Sequence, residues 1–260
     1  MPLFEFDRLP PGDRRNNLRD VLLWLPVNSL QVFSFLFVSC LLIPGALVVR
    51  AVTGSSRAAI GLAHKWWGPI VVGGGLARLH VTGLESMEPR KTYLVVANHQ
   101  SYFDIPVLYS ALPSPVYFVA AGTIGAIPGV GHFCRAVGTI FLRPNLRAET
   151  GRASKELADY LRDGRTTVLF PEGTRSRDGS MRPFSPGLLT AAIDAGVDIL
   201  PLAIVGSREV MPRGGGFLFR PAKVEVRIGS PLPTHGSGGG DRDALAREAW
   251  QSVDALRSRA

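Results

Sequence analysis

Two short stretches hold residue types that can do chemistry. In "VVANHQSYFDIP" (95–106) an imidazole, His99, is followed five positions later by a carboxylate, Asp104, just where an apolar run ends. An imidazole titrates near neutral pH and can take a proton from an attacking hydroxyl. A carboxylate on its other ring nitrogen fixes the tautomer and stabilises the imidazolium that forms. "VLFPEGTRS" (168–176) likewise runs from an apolar segment into Pro171, Glu172, Gly173, Thr174 and Arg175. Pro171 ends a strand, and Gly173 permits a tight turn with exposed amides. Arg175 brings a positive charge suited to a phosphate. Each stretch alone has a plain structural reading, a histidine at a strand end or an ordinary turn. Both together, each at the end of a separate strand, point to one site.

The elements that must position them follow from periodicity. Short apolar runs at Tyr93–Ala97, Val116–Ala120, Thr139–Leu142, Thr166–Phe170, Ile199–Ile204 and Lys223–Ile228 read as strands. Helices fit between them, most clearly at Glu149–Asp163, where Ala153, Leu157, Tyr160 and Leu161 share a face and Gly164 ends the run. A second amphipathic helix, capped by Asp241 behind the loop "HGSGGGDRD" (235–243), runs toward Ser258. Alternation of strands and helices predicts an α/β domain, a mostly parallel sheet flanked by helices. In such sheets sites form beyond the carboxyl ends of the strands, which is where both stretches fall.

The 260 residues carry a net charge of +8 but only 19% charged residues. The excess charge implies anionic partners. So apolar a chain, with no basic block interleaved with aromatics, disfavours nucleic acid and favours a membrane surface or a phosphorylated substrate. The two cysteines, Cys40 and Cys134, form neither a disulfide framework nor a metal pair. Between Asp20 and Arg50 no residue is charged, and residues 30–49 are long enough as a helix to cross a hydrocarbon core of about 30 Å. Asn28, Gln31 and Pro44 interrupt the run, so a kinked span and a re-entrant hairpin both remain open. Residues 51–80 contain Arg57, Lys65 and Arg78 but no acid, and the Trp66–Trp67 pair beside Lys65 reads as an interfacial anchor or a packing helix.

The chain resembles the glycerolipid acyltransferases, in particular the 1-acyl-glycerol-3-phosphate (lysophosphatidate) acyltransferases. "NHQSYFD" is similar to their first block, His-x4-Asp, and "FPEGTRS" to their third. "AIPGVGHFCRAVGTIFLRP" (126–144) is similar to the second, with Arg143 in place, and "ILPLAI" (199–204) to the fourth. The chain departs from the family pattern at Ala120-Ala121-Gly122-Thr123, at Leu142 and at Phe184-Ser185-Pro186-Gly187, where charged or basic residues are common.

The resemblance implies a domain plan: a polar tail (1–20), a membrane-spanning, re-entrant or interfacial helical segment (21–80) and an acyltransferase domain (81–260). It implies that His99 and Asp104 are catalytic, and that Arg143, Glu172, Gly173, Thr174 and Arg175 bind substrate. The implied reaction moves a fatty acyl group from acyl-CoA or acyl-carrier protein to the free hydroxyl of lysophosphatidate, giving phosphatidate for phospholipid biosynthesis. No metal and no cofactor beyond the acyl donor is expected, and the expected place is the cell membrane with the site facing the cytoplasm. The departures keep other acceptors open, such as a lyso-ornithine lipid or glycerol 3-phosphate. A basic membrane-surface lipid-binding protein is the non-enzymatic alternative.

Overall fold

The computed structural model describes residues 18–142, 147–176, 179–212, 219–234 and 242–259. The chain opens with a long helix, α1 (Leu18–Thr53), then α2 (Ser56–Leu62), a π-helical turn (Ala63–Trp67) and α3 (Gly68–Gly74). The alternating part follows: β1 (Ala77–Thr82), β2 (Tyr93–Ala97), α4 (Asp104–Ala111), β3 (Tyr117–Ala121), α5 (Val130–Ala136) and β4 (Ile140–Leu142). It continues with α6 (Arg147–Arg162), β5 (Thr167–Leu169), α7 (Thr190–Ala195), β6 (Asp198–Val205), α8 (Ser207–Val210), β7 (Ala222–Ile228) and α9 (Arg242–Arg257).

These strands form one sheet in the order β1-β7-β6-β2-β5-β3-β4. All neighbours are parallel except β6 and β7, so the sheet is mixed but mostly parallel, as the alternation of elements predicts. Every residue of β2 is buried, with Val95 facing one core layer and Leu94 and Val96 the other. Burial on both faces is why this strand is an unbroken apolar run rather than an alternating one.

Six of the seven strands lie where the apolar runs predict them. The seventh, β1, falls in a stretch read from sequence as helical. Its signal is the alternation in "ARLHVT", where Ala77, Leu79 and Val81 turn inward and Arg78, His80 and Thr82 outward. The glycines and tryptophans just before it masked that short period. The expected division at residue 81 falls inside β1, which pairs with β7 from Ala77 to Thr82. The glycine-rich loop and the Asp241 cap lie outside the described residues.

Helix α1 lies along the domain rather than apart from it. Asn28 Oδ1 accepts from the backbone N–H of Phe219 at 2.7 Å, Ser39 Oγ accepts from Trp67 Nε1 at 3.0 Å, and Arg50 Nε donates to the Ala136 carbonyl at 3.1 Å. These three polar residues of an apolar helix therefore face the protein. On its other side Leu30, Phe33, Phe37, Leu41, Val48 and Val52 are each at least 60% exposed. The tryptophan pair divides in the same way. Trp66 is exposed beside Lys65, whereas Trp67 packs inward against Tyr109.

Candidate active site

Strands β2 and β5 are parallel neighbours, with Val96 opposite Leu169, so the segments leaving their carboxyl ends emerge side by side. One begins Asn98-His99, the other Phe170-Pro171. Asn98 is buried and clamped to β6: its Nδ2 donates to the Ile204 carbonyl and its Oδ1 accepts from the Ile204 N–H, both at 2.8 Å. That pair fixes the backbone immediately before the histidine.

His99 Nδ1 lies 2.7 Å from Asp104 Oδ2. The same oxygen accepts from the backbone N–H groups of Gln100 (2.8 Å) and Ser101 (3.0 Å). Asp104 is fully buried and is the first residue of α4, where the helix dipole favours a negative charge. The five-residue spacing thus folds as a tight loop that returns the chain to its own histidine. With Nδ1 held by the carboxylate, Nε2 is the ring nitrogen free to exchange a proton. The imidazole also stacks on Phe170, with centroids 4.1 Å apart and planes 18° from parallel. Ser101 Oγ accepts from the N–H of Phe103 (3.1 Å) and donates to the carbonyl of Met211 (2.8 Å), which anchors the loop.

The second segment closes over the first. Glu172 Oε1 accepts from the N–H of His99 at 2.8 Å and Oε2 from the N–H of Arg182 at 3.0 Å. Burial pushes the Glu172 carboxyl above its ordinary range, and those two N–H donors pull it partly back. The Ser176 N–H donates to the His99 carbonyl at 2.8 Å, so the histidine backbone is held on both sides. Gly173 has φ of +71°, a left-handed conformation that a side chain would strain, and this turn leads through Thr174 to Arg175. The Arg175 guanidinium lies 3.6 Å above the ring of Tyr102, which is half exposed.

The structure therefore brings together His99, Asp104, Glu172, Gly173, Thr174 and Arg175. Arg143 lies outside the described residues. Sequence reasoning missed Tyr102 and Phe170, the two rings flanking this loop. Both sit within the quoted stretches, but nothing in their spacing marks an aromatic as a support for a histidine or an arginine.

Residues 78–205, which contain both segments, match the family model described as Acyltransferase. A lyso-ornithine lipid O-acyltransferase of Pseudomonas aeruginosa is 34% identical over 180 residues, which cover 64% of this chain and 67% of that protein. The chain belongs to the glycerolipid acyltransferase family. A chloroplastic 1-acyl-sn-glycerol-3-phosphate acyltransferase of Arabidopsis thaliana is 32% identical over 68% of this chain and 48% of its own length. The chain thus spans about half of that plastid relative. The crystal structure of the 1-acyl-sn-glycerophosphate acyltransferase PlsC from Thermotoga maritima superposes with a TM-score of 0.72 at 28% identity, covering 94% of this chain and 98% of that one. As a member of this family the protein is an O-acyltransferase, and its fold is that of PlsC.

Proposed function

We propose that this protein transfers a fatty acyl group from acyl-CoA or acyl-carrier protein to the free hydroxyl of lysophosphatidate, forming phosphatidate. The observation that carries the reading is the 2.7 Å contact between His99 and buried Asp104, set beside the turn that bears Arg175. The acceptor hydroxyl gives its proton to His99 Nε2 as its oxygen attacks the thioester carbonyl. The tetrahedral intermediate then collapses, the new ester forms, the carbon–sulfur bond breaks, and the imidazolium returns the proton to the departing thiolate. Asp104 stabilises the imidazolium throughout. No enzyme nucleophile takes part, because the acceptor oxygen attacks directly.

Arg175 pairs with the acceptor phosphate in this reading, and Tyr102 holds its guanidinium flat against the ring. Replacement of Tyr102 by Ala should raise KM for lysophosphatidate about fivefold, the loss of one partly exposed cation–π contact, and leave kcat nearly unchanged. Tyr102→Phe, which keeps the ring, should restore KM. Steady-state kinetics on both variants decide it, and a fall in kcat with unchanged KM would remove Tyr102 from acceptor binding.

The exposed apolar side of α1 supports a place at the membrane. The helix is held along the domain, so this side would dip into the bilayer and set the site beside lipid acceptors, with the thioester arriving from the cytoplasm.

A second reading keeps the chemistry and changes the acceptor to a lyso-ornithine lipid. The name of the Pseudomonas relative favours it, as does the uncharged stretch Ala120–Thr123. The purified protein in lipid vesicles, given lysophosphatidate, a lyso-ornithine lipid and glycerol 3-phosphate with each donor, separates the two. Phosphatidate as the main product supports the first reading, a preference for the phosphate-free acceptor moves the assignment to the second, and transfer to none would sink both.

A further inference from the structure

A cavity of about 250 Å³ lies between α1 and α3. Phe35, Ile70, Val71, Gly75 and Phe219 form its mostly apolar wall, and Gln31 and Ser34 line it from α1. Gln31 is only 7% exposed, yet among the described residues neither its Oε1 nor its Nε2 has a hydrogen-bond partner. Two other inward polar residues of this helix are satisfied, Asn28 by Phe219 and Ser39 by Trp67. A buried amide with neither its donor nor its acceptor used is costly, and in natural proteins such a group usually marks an absent ligand or water.

The walls say what kind of ligand. Among the lining side chains a water bound here would find only Gln31 and Ser34 as polar partners, whereas ordered buried water typically makes about three hydrogen bonds. A methylene chain suits the rest of the lining, and one hydroxyl on that chain can accept from Nε2 and donate to Oε1. Ile70 and Gly74 line the cavity and are also exposed, so it opens at the surface beside Trp66. At Gly75 its wall abuts the segment that leads to Asp104. Gly75 lies so close to Phe103 that a β-carbon there would fall 2.9 Å from the ring, and Phe103 directly precedes Asp104.

We propose that this cavity receives a fatty acyl chain bearing a hydroxyl group part-way along its length, and that Gln31 reads that hydroxyl. The inference rests on the acyl-transfer reading above and adds a substrate class to it. Gln31 is a specificity residue here, remote from the reacting atoms.

The test compares wild type, Gln31→Leu and the similarly sized Gln31→Met in vesicles. One arm supplies palmitoyl donors, unsubstituted or hydroxylated at successive positions. The other supplies lysophosphatidate whose own chain is hydroxylated or not, which separates donor from acceptor as the source. In wild type, kcat/KM should be about tenfold higher for the best hydroxylated chain than for its plain counterpart, the size of one satisfied buried polar group. Both variants should abolish that ratio while turning over the plain chain at least as well as wild type. An equal ratio in wild type and variants, in both arms, overturns the proposal and leaves acyl transfer standing. If wild type transfers no acyl group at all, the functional reading has failed. Displacement of a fluorescent fatty acid by free hydroxylated and plain acids then decides the cavity by itself. A selectivity for the hydroxylated acid that Gln31→Leu removes upholds it, and its absence ends it.

Discussion

His99→Ala should lower kcat by about 10³-fold or more in a protein that folds and binds membranes normally, since a positioned general base contributes about 10²–10⁴. The side chain is 15% exposed, bonds Asp104 and stacks on Phe170, so the variant also loses some packing, which thermal unfolding registers separately from kcat. Asp104→Asn isolates the charge. Its Oδ2 takes three donors, from His99, Gln100 and Ser101, while Oδ1 is buried without a partner among the described residues. An asparagine placed with its oxygen at the three-donor position keeps all three bonds and puts its NH2 where Oδ1 stood. The reverse orientation would face an NH2 against three donors. The histidine therefore keeps its tautomer and loses only the anion that steadies the imidazolium. A fall in kcat of about 10²-fold, with KM for the acceptor unchanged, is the expected result. Single-turnover mass spectrometry of product, with thermal unfolding to verify the fold, measures both variants. Turnover by His99→Ala within tenfold of wild type would remove His99 as the base.

The catalytic loop was legible because its chemistry is local. His99 and Asp104 lie on one short connection, and a five-residue offset at a strand end leaves few ways to fold except back on itself. Arg175 and Glu172 were legible as neighbours of that loop because two parallel strands present their ends together. The role of Glu172 was not. The resemblance makes it a substrate-binding residue, whereas its two oxygens hold backbone N–H groups from residues 99 and 182. No periodicity or motif records which amide a carboxylate will find across 73 positions. The strand β1 was lost for a different reason. Three inward residues are too short a pattern to stand out beside the glycines and tryptophans that precede them. The apolar run was legible as helical, but not that it would form one helix from Leu18 to Thr53 rather than a hairpin, nor which of its polar residues turn inward, because that depends on where Phe219 and Trp67 arrive from elsewhere in the chain.

Glu172 supplies the other large expected effect, because it acts on His99 through the backbone. Glu172→Ala leaves the N–H groups of His99 and Arg182 without their acceptor. Each loss costs about 1–3 kcal/mol where the donor stays buried, so stability should fall by about 2–4 kcal/mol. Activity should fall further than stability suggests. A displacement of the base by about 1 Å can cost about 10²-fold in rate, and without Glu172 the His99 backbone keeps the Ser176 bond while its ring keeps the Phe170 stack. Glu172→Gln gives the sign of the charge term. Burial raises the carboxyl of Glu172 on folding, so the native state holds a proton more tightly than the unfolded chain. Such a group favours folding increasingly as pH falls toward the raised value, and that contribution is withdrawn as pH rises above it. Glutamine carries no such dependence. The stability deficit of Glu172→Gln relative to wild type should therefore shrink as pH rises from about 4 to 7, a window set by the upward shift from the ordinary carboxylate range. Denaturant unfolding across that range measures it. A deficit that grows toward neutral pH would mean that the N–H contacts, not burial, dominate the carboxylate, and that Glu172 holds the histidine loop by its charge.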